Sequence, residues 1–369
     1  MDDAFCFCDK LGPAKIVHLS EPGAGLRAIV VIDNVATGPA IGGTRMAPDV
    51  SLEECFGLAR AMTLKNAAAG LPHGGAKSVI FADPTMPARD KERIIRAFAQ
   101  AIRDIGDYIP GPDMGTDETA MAWIRDEIGR AVGLPRELGG IPLDEIGATG
   151  FGLAIAAEVA EPFSGVELNG ARVAVQGFGA VGKHAARYLA RKGARLVAAS
   201  DSKGAIVDAK GLDVERLCAL KERGKSVIDH KGGQRIGPDE LISADCDIWI
   251  PAARPSVIRA DNADRLKARL VLQGANIPAT SDAERRMHER GILSVPDFIA
   301  NAGGVITAAV EYHGGTERSA LETVAERIAA NTRAVLAAAK ASGSLPREAA
   351  VKLAEERVLR AMEFRRWHA

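Results

Sequence analysis

Between Ala171 and Lys192 an alternating apolar run, Ala171-Arg-Val-Ala-Val-Gln176, passes directly into Gly177-Phe178-Gly179-Ala180-Val181-Gly182 and then into a stretch of helical period. Few folds accept that order. A strand must end in a turn whose first glycine reverses the chain, whose second lets backbone N–H groups approach a pyrophosphate, and whose third lets the helix lie close on the strand. The next strand, Arg195 to Ser200, ends in Asp201, 24 residues after Gly177. An acid placed there can accept hydrogen bonds from the adenosine ribose and repel a 2′-phosphate. Residues 177–182 and Asp201 are therefore candidate dinucleotide contacts, and NAD is favoured over NADP, although the neighbouring Ser202 and Lys203 are of a kind that can accommodate a phosphate. Short apolar runs at 247–250, 270–272 and 292–295 continue the alternation with helices, so this half reads as a doubly wound parallel sheet.

At about 150 residues per domain, 369 residues imply two cores. Upstream, the apolar period changes repeatedly: strands at 26–32, 41–46 and 77–82 alternate with helices at 52–66, 91–105 and 118–128, which is a separate α/β domain. A Pro- and Gly-rich stretch, 134–143, marks the junction, and an Ala-rich helical segment closes the chain. The expected division is 1–144 for substrate binding and catalysis, 145–315 for a Rossmann-like NAD-binding domain, and 316–369 for helices packing back across both.

Lys+Arg of 47 against Asp+Glu of 48 leaves a formal charge of -1 with no basic run, which argues against a nucleic-acid partner. No apolar stretch approaches the roughly 18 residues of a membrane span, and the acidic start Met1-Asp2-Asp3 is unlike a secretory signal, so a cytoplasmic location is expected. Five cysteines, an odd number, suit a reducing compartment. Cys6-Phe7-Cys8 has no further ligands in register, and no metal site is expected.

The first half holds the reactive residue types. Lys65 lies near the end of an apolar helix, Lys77 follows Gly74-Gly75 at the start of a strand, and Asp113 sits in Gly111-Pro-Asp113-Met-Gly-Thr116. A lysine desolvated in such a setting, or placed near another cation, loses its proton toward neutral pH and becomes a usable base. Arg45, in Gly42-Gly43-Thr-Arg45, reads equally as structural or as an aid to carboxylate binding. His73 reads as packing, Trp123 and Trp249 as core or interface, and the run Glu284–Arg290 as a solvated helix face.

From about Leu26 to Glu311 these motifs resemble the amino-acid dehydrogenases that include the glutamate, leucine, valine and phenylalanine enzymes. The resemblance rests on Gly74-Gly75-Ala-Lys77, Pro112-Asp113-x-x-Thr116, Ala148-Thr149-Gly150-Phe-Gly152 and Pro296-Asp297-Phe-Ile-Ala-Asn301-Ala-Gly303-Gly304. It implies a two-domain α/β fold with a cleft, NAD as cofactor, and a homo-oligomer. It also implies that Lys65 binds the substrate α-carboxylate, Lys77 is the catalytic lysine and Asp113 the proton-transfer carboxylate. Thr149 would touch the nicotinamide amide, and Asn276, with Ala252 and Asn301, would line the cofactor region. The reaction asks for those types: hydride leaves Cα, water attacks the resulting iminium with help from a neutral lysine, and a carboxylate relays protons to departing ammonia.

The substrate domain is most similar to the leucine and phenylalanine enzymes, whereas the stretch from Ser200 to about Glu240 is more like the glutamate enzymes. Glutamate enzymes carry a lysine just before Gly-Gly-x-Arg and a serine shortly after Asn-Ala-Gly-Gly; Ile41 and Ala308 stand at those positions. A substrate carboxylate buried without those partners would lose roughly a thousandfold in specificity. With Gly42, Met62 and Val305 as the other expected lining residues, the resemblance implies an apolar pocket, for a branched-chain or aromatic L-amino acid. The alternatives are a glutamate dehydrogenase and a non-catalytic NAD-binding sensor on the same fold.

Overall fold

A computed structural model describes residues 5–365. In chain order its strands and helices are β1 (Lys15–Glu21), β2 (Leu26–Asn34), β3 (Ala40–Ala47), α1 (Leu52–Ala68), β4 (Gly74–Phe81), α2 (Ala88–Ala101), β5 (Tyr108–Pro112), α3 (Glu118–Ile128), α4 (Leu143–Ile146), α5 (Ala148–Ser164), β6 (Arg172–Gln176), α6 (Ala180–Arg191), β7 (Arg195–Asp201) and β8 (Gly204–Val207). They continue with α7 (Val214–Glu222), β9 (Gln234–Ile236), β10 (Ile248–Pro251), β11 (Leu270–Leu272), α8 (Ser281–Glu289), β12 (Leu293–Val295), α9 (Asp297–Ala300), α10 (Gly303–Tyr312), α11 (Glu317–Ser342) and α12 (Pro346–Met362). Two compact units result. The first runs to Pro142 and adds Val305–Ala320 and the chain from Lys352; the second is Leu143–Gly304 with Leu321–Val351.

In the first unit the sheet order is β1-β2-β4-β3-β5, with β2 antiparallel to both β1 and β4, and β3 parallel to both β4 and β5. β2 and β4 are apolar almost throughout because both sheet faces are covered. Val30, Ile32 and Ile80 meet Ile95 and Phe98 of α2 and Met121 of α3, while Ile29, Val31 and Val79 meet Cys55 and Ala59 of α1. Ser51 caps α1 by accepting from the Glu54 amide, and Glu53 and Glu54 occupy its first turn, where the helix dipole favours anions. A Cβ on Gly75 would stand 2.0 Å from the Thr63 nitrogen, so this glycine is what lets α1 lie directly on β4. Edge strand β1 has no counterpart in the sequence reading, because its residues are exposed or half-exposed on both sides and carry no clear alternation.

The chain returns to this unit twice. Glu311, near the end of α10, is buried and accepts from the amides of Gly133, Leu134 and Ile141; Arg357 of α12 donates to the Ala67 and Ala68 carbonyls at the end of α1. The division into units thus departs from linear boundaries at 144 and 315, because α10 carries its own anchor into the first unit.

In the second unit the order is β12-β11-β10-β6-β7-β8-β9. Five neighbours, β12 to β7, are parallel, but β8 and β9 are antiparallel additions, so the sheet is mixed rather than wholly parallel as the sequence suggested. At four and three residues, β8 and β9 are too short for a periodic signal. Trp249 is buried in the core beside Ala174, Val271 and Met287. The run beginning at Glu284 is not wholly a solvated face: Glu284 is buried, accepts from Arg347 Nε (2.7 Å) and from Gln273 Nε2 (2.7 Å), and Met287 is buried too. Arg347 arrives from 63 positions away, so no local pattern could announce the pair.

Candidate functional site

In the first unit, strand alternation places Ile41, Gly43 and Arg45 on one face of β3, the face that α1 covers, and places Lys77 on the same side of β4. Lys77 Nζ donates to Asp113 Oδ2 at 2.7 Å, and Arg45 Nε donates to the same oxygen at 2.9 Å. A Cβ on Gly43 would lie 2.9 Å from both Lys77 Nζ and Asp113 Cβ, so only glycine leaves room for the pair to meet. Asp113 follows β5 in a turn held by Thr116, which accepts from the Asp113 amide and donates to the Thr44 carbonyl. Gly115, at φ +81°, lets that turn close against the Met46 carbonyl.

Burial pulls Lys77 below the ordinary lysine value, against the opposing pull of Asp113; the residue is only 5% exposed. For Asp113 burial acts upward, but Lys77 and Arg45 outweigh it and hold the carboxyl below the usual range. Burial thus favours the neutral form of the amine, while its two cationic neighbours favour the ionised form of the carboxylate. Arg45, left open by sequence, is committed: its Nη1 also pairs with Glu54. The i, i+2 spacing from Gly43 was the available signal for its direction.

Lys65 and Met62, three residues apart on α1, are half-buried or partly exposed, and Asn66 beside them donates to the Gly74 carbonyl at 2.7 Å, fastening this turn of helix to the strand of Lys77. Ile41 is buried, and a Cβ on its neighbour Gly42 would strike the Ala76 carbonyl. Val305 and Ala308, one turn apart on α10, are half-buried in the same unit.

His73 is buried, as a packing residue would be, and its ring also has polar neighbours. Its Nε2 lies 3.0 Å from His313 Nε2, and its Nδ1 is 3.0 Å from the Pro39 carbonyl, with Tyr312 edge-on to the ring. Burial lowers its pKa from the ordinary 6.5, and His313 adds to that. The unfolded chain therefore takes up this proton first, so the stabilisation is complete above about pH 6.5 and is lost as pH falls from there toward the depressed folded value. Denaturant midpoints measured from pH 7.5 to 5.5 are expected to fall, and His73→Gln to flatten that fall; an unchanged slope would assign it elsewhere.

In the second unit the glycine turn is built as its sequence demands. Gly177 has φ +89°, and a Cβ there would strike Ala252 and Ala253; on Gly182 it would stand 2.1 Å from the Gly177 carbonyl; on Gly179 it would meet nothing within 4 Å. The open side is thus at the second glycine, where the first amides of α6, from Ala180, Val181 and Gly182, have no partner within the helix. This cradle fits a pyrophosphate. The Phe178 ring is fully buried, and its amide, like that of Gly177, donates to the Ser200 carbonyl. The order reverses between β6 and β10, and Ala252, just past β10, donates its amide to the Gln176 carbonyl there. Asn301 Nδ2 donates to Asn276 Oδ1 at 3.1 Å, while Asn301 Oδ1 is buried without a partner, an open acceptor that suits a carboxamide. Thr149 is half-buried in the first turn of α5, next to Gly304.

Asp201, the expected ribose contact, lies at the end of β7 amid donors from its own chain. Its carboxylate already accepts from Lys221 Nζ (2.7 Å), Ser226 Oγ (2.8 Å), the Val227 amide (3.0 Å) and the Lys203 amide (3.0 Å). Burial alone would raise its pKa, but these donors hold it down at about 2. Lys221 and Ser226 lie 20 and 25 residues downstream, which hides the clamp from the sequence.

Residues 139–366 match the family model of glutamate/leucine/phenylalanine/valine dehydrogenases, and residues 14–130 match the dimerisation domain of the same family. A glutamate dehydrogenase of Aeropyrum pernix is 39% identical over 358 residues, covering 90% of this chain and 85% of that one. An NADP(+)-dependent glutamate dehydrogenase of Pyrobaculum calidifontis is 40% identical with the same coverage. The hetero-hexameric glutamate dehydrogenase of Thermus thermophilus, in its Leu-bound form, superposes with TM-score 0.84 at 31% identity, covering 97% of this chain and 91% of that one. L-Tryptophan dehydrogenase of Nostoc punctiforme gives 0.75 at 27%, covering 95% and 97%. With a strand-turn-helix nucleotide cradle in one unit and a buried lysine-carboxylate pair in the other, the chain belongs to the glutamate/leucine/phenylalanine/valine dehydrogenase family and is an amino-acid dehydrogenase, an oxidoreductase acting on CH–NH2 with a nicotinamide nucleotide.

Proposed function

We propose that the chain catalyses the reversible oxidative deamination of an L-amino acid to its 2-oxo acid and ammonia, with the first unit binding the amino acid and the second the nucleotide. The observation that carries this reading is the Lys77–Asp113 pair at 2.7 Å, a depressed amine against an ionised carboxylate. When bound, the nucleotide supplies the hydride acceptor at its nicotinamide ring. Lys65 takes the substrate α-carboxylate and fixes the direction of Cα–H. Neutral Lys77 removes a proton from the water that attacks the iminium carbon, and Asp113 carries protons to the departing amine. Ala180, Val181 and Gly182 hold the pyrophosphate with their amides, and Thr149, Asn276 and Asn301 hold the nicotinamide end. The relatives' dimerisation domain and hexameric form support self-association, and a cytoplasmic setting agrees with five thiols outside disulfides.

Glutamate is the substrate the relatives favour, since those at 39% and 40% identity carry that name over most of the chain. An apolar amino acid is the second reading, favoured by Ile41, buried on the Lys77 face of the sheet where the resemblance expects a lysine, and by Ala308. Nucleotide reduction at alkaline pH with L-glutamate, L-leucine, L-valine, L-phenylalanine and L-tryptophan separates them. Turnover of glutamate supports the first reading and turnover of apolar members alone the second. Silence across the panel despite nucleotide binding sinks both. If the second holds, Ile41→Lys with Ala308→Ser is expected to raise glutamate over leucine by roughly a thousandfold in kcat/KM; if the first holds, the ratio stays within about tenfold.

A further inference from the structure

The loop that follows β11, Gly274-Ala-Asn276-Ile277, is held in a conformation that its last residue resists. Ile277 has φ +46°, where a β-branched side chain crowds its own backbone. Ser256, in the loop after β10, is the other non-glycine residue at positive φ among the described residues, and its amide donates to the Ile277 carbonyl at 2.9 Å. Both loops leave the carboxyl ends of neighbouring parallel strands, at the edge of the sheet that also carries the glycine turn after β6. Such strain persists only where the surroundings over-determine it, and it collects where a ligand is positioned. Packing of the side chain is not what holds it, for Ile277 is 56% exposed.

Polar groups hold it instead. The Ile277 amide donates to Asp297 Oδ2 at 2.8 Å. One turn further on, just past α9, Asn301 Nδ2 donates to Asn276 Oδ1 at 3.1 Å and lies 3.3 Å from the Gly274 and Ala275 carbonyls, so the loop is gripped along its whole length. The other oxygen of Asp297, Oδ1, pairs with Arg347 Nη2 at 2.9 Å. Arg347 stands in the first turn of α12, and it also donates to Glu284 of α8 (2.7 Å) and to Gln273 Oε1, just past β11 (2.8 Å). The Asp297 and Glu284 side chains are 7% and 6% exposed. Ions buried to this degree are poor sources of stability, because desolvation cancels most of their attraction. What the arrangement supplies is direction: with one Asp297 oxygen fixed by the guanidinium, the other is aimed at the Ile277 amide.

We propose that Arg347 is a positioning residue for the nicotinamide end of the nucleotide: through Asp297 it holds Ile277 at positive φ, and that turn sets Asn276 against Asn301. This rests on the reading of the second unit as a nicotinamide-nucleotide site. Calorimetric titration of the full chain with NADH, and with ADP-ribose, which lacks the nicotinamide, tests it. Arg347→Met is expected to weaken NADH by about tenfold and to leave ADP-ribose within about twofold. Glycine takes positive φ without help, so adding Ile277→Gly to Arg347→Met restores NADH affinity to within about threefold of the parent. A general packing defect would not answer to a glycine at that position. Should Arg347→Met fail to fold, Arg347→Lys carries the same comparison, since it keeps the charge but has no planar fork to reach Glu284, Gln273 and Asp297 together. NADH affinity unmoved by the replacement, equal losses for NADH and ADP-ribose, or a loss that Ile277→Gly does not repair overturns the proposal. A parent chain that binds neither ligand overturns the nucleotide reading itself, and the proposal with it.

Discussion

Lys77→Ala is expected to lower kcat for oxidative deamination by about 10³-fold, within the range a positioned base contributes, while nucleotide affinity stays unchanged. The amine is buried, hydrogen-bonded to Asp113 at 2.7 Å, and shifted by burial toward the neutral form that can accept a proton from water. Arg45 on the same face of the sheet cannot replace it, because it stays protonated under all working conditions and is tied to Asp113 and Glu54. Lys77→Arg should fare little better, because a guanidinium cannot serve as a base. Steady-state turnover together with nucleotide titration checks the result. Undiminished kcat would remove Lys77 from the chemistry, and loss of nucleotide binding would mean that the substitution had damaged more than the base.

Asp113→Asn is expected to cost about 10²- to 10³-fold in kcat, and to change how the remaining activity depends on pH. On the proposed mechanism, activity of the parent protein is expected to rise with pH as Lys77 loses its proton, at a value below the ordinary 10.5. Burial lowers that value and the Asp113 charge raises it, so removing the charge while keeping the burial must lower it further. The acidic limb of the kcat/KM profile therefore moves to lower pH in the variant. A limb that does not move belongs to another group. Folding should survive the change, since Arg45 retains Glu54 as a partner.

The two catalytic candidates are legible in the amino-acid sequence because their signals are local. Lys77 stands out for following two glycines in an apolar strand, and Asp113 for a Gly-Pro-Asp turn. The fold supplies the reasons for the glycines around them: Gly75 admits helix α1, and Gly43, on the neighbouring strand, admits the ion pair. Arg45 is visible but undecidable from sequence, because Asp113 lies 68 residues away. The same limit conceals the His73–His313 contact, whose partners are 240 residues apart.

What the amino-acid order determined by itself was the succession of elements: two α/β units, the nucleotide turn with its three glycines, and the polar residues set into otherwise apolar segments. Each is dictated by periods of two or 3.6 residues and by glycine's freedom at positive φ, which act within a few positions of the chain. Only the tertiary structure decided how those polar residues spend their hydrogen bonds. Asp201 has the position of a ribose reader, yet Lys221, Ser226 and Val227 reach it first through the fold. The physical reason is that a carboxylate's role depends on which donors surround it in space, and a buried acceptor takes whatever donors the packing brings within about 3 Å.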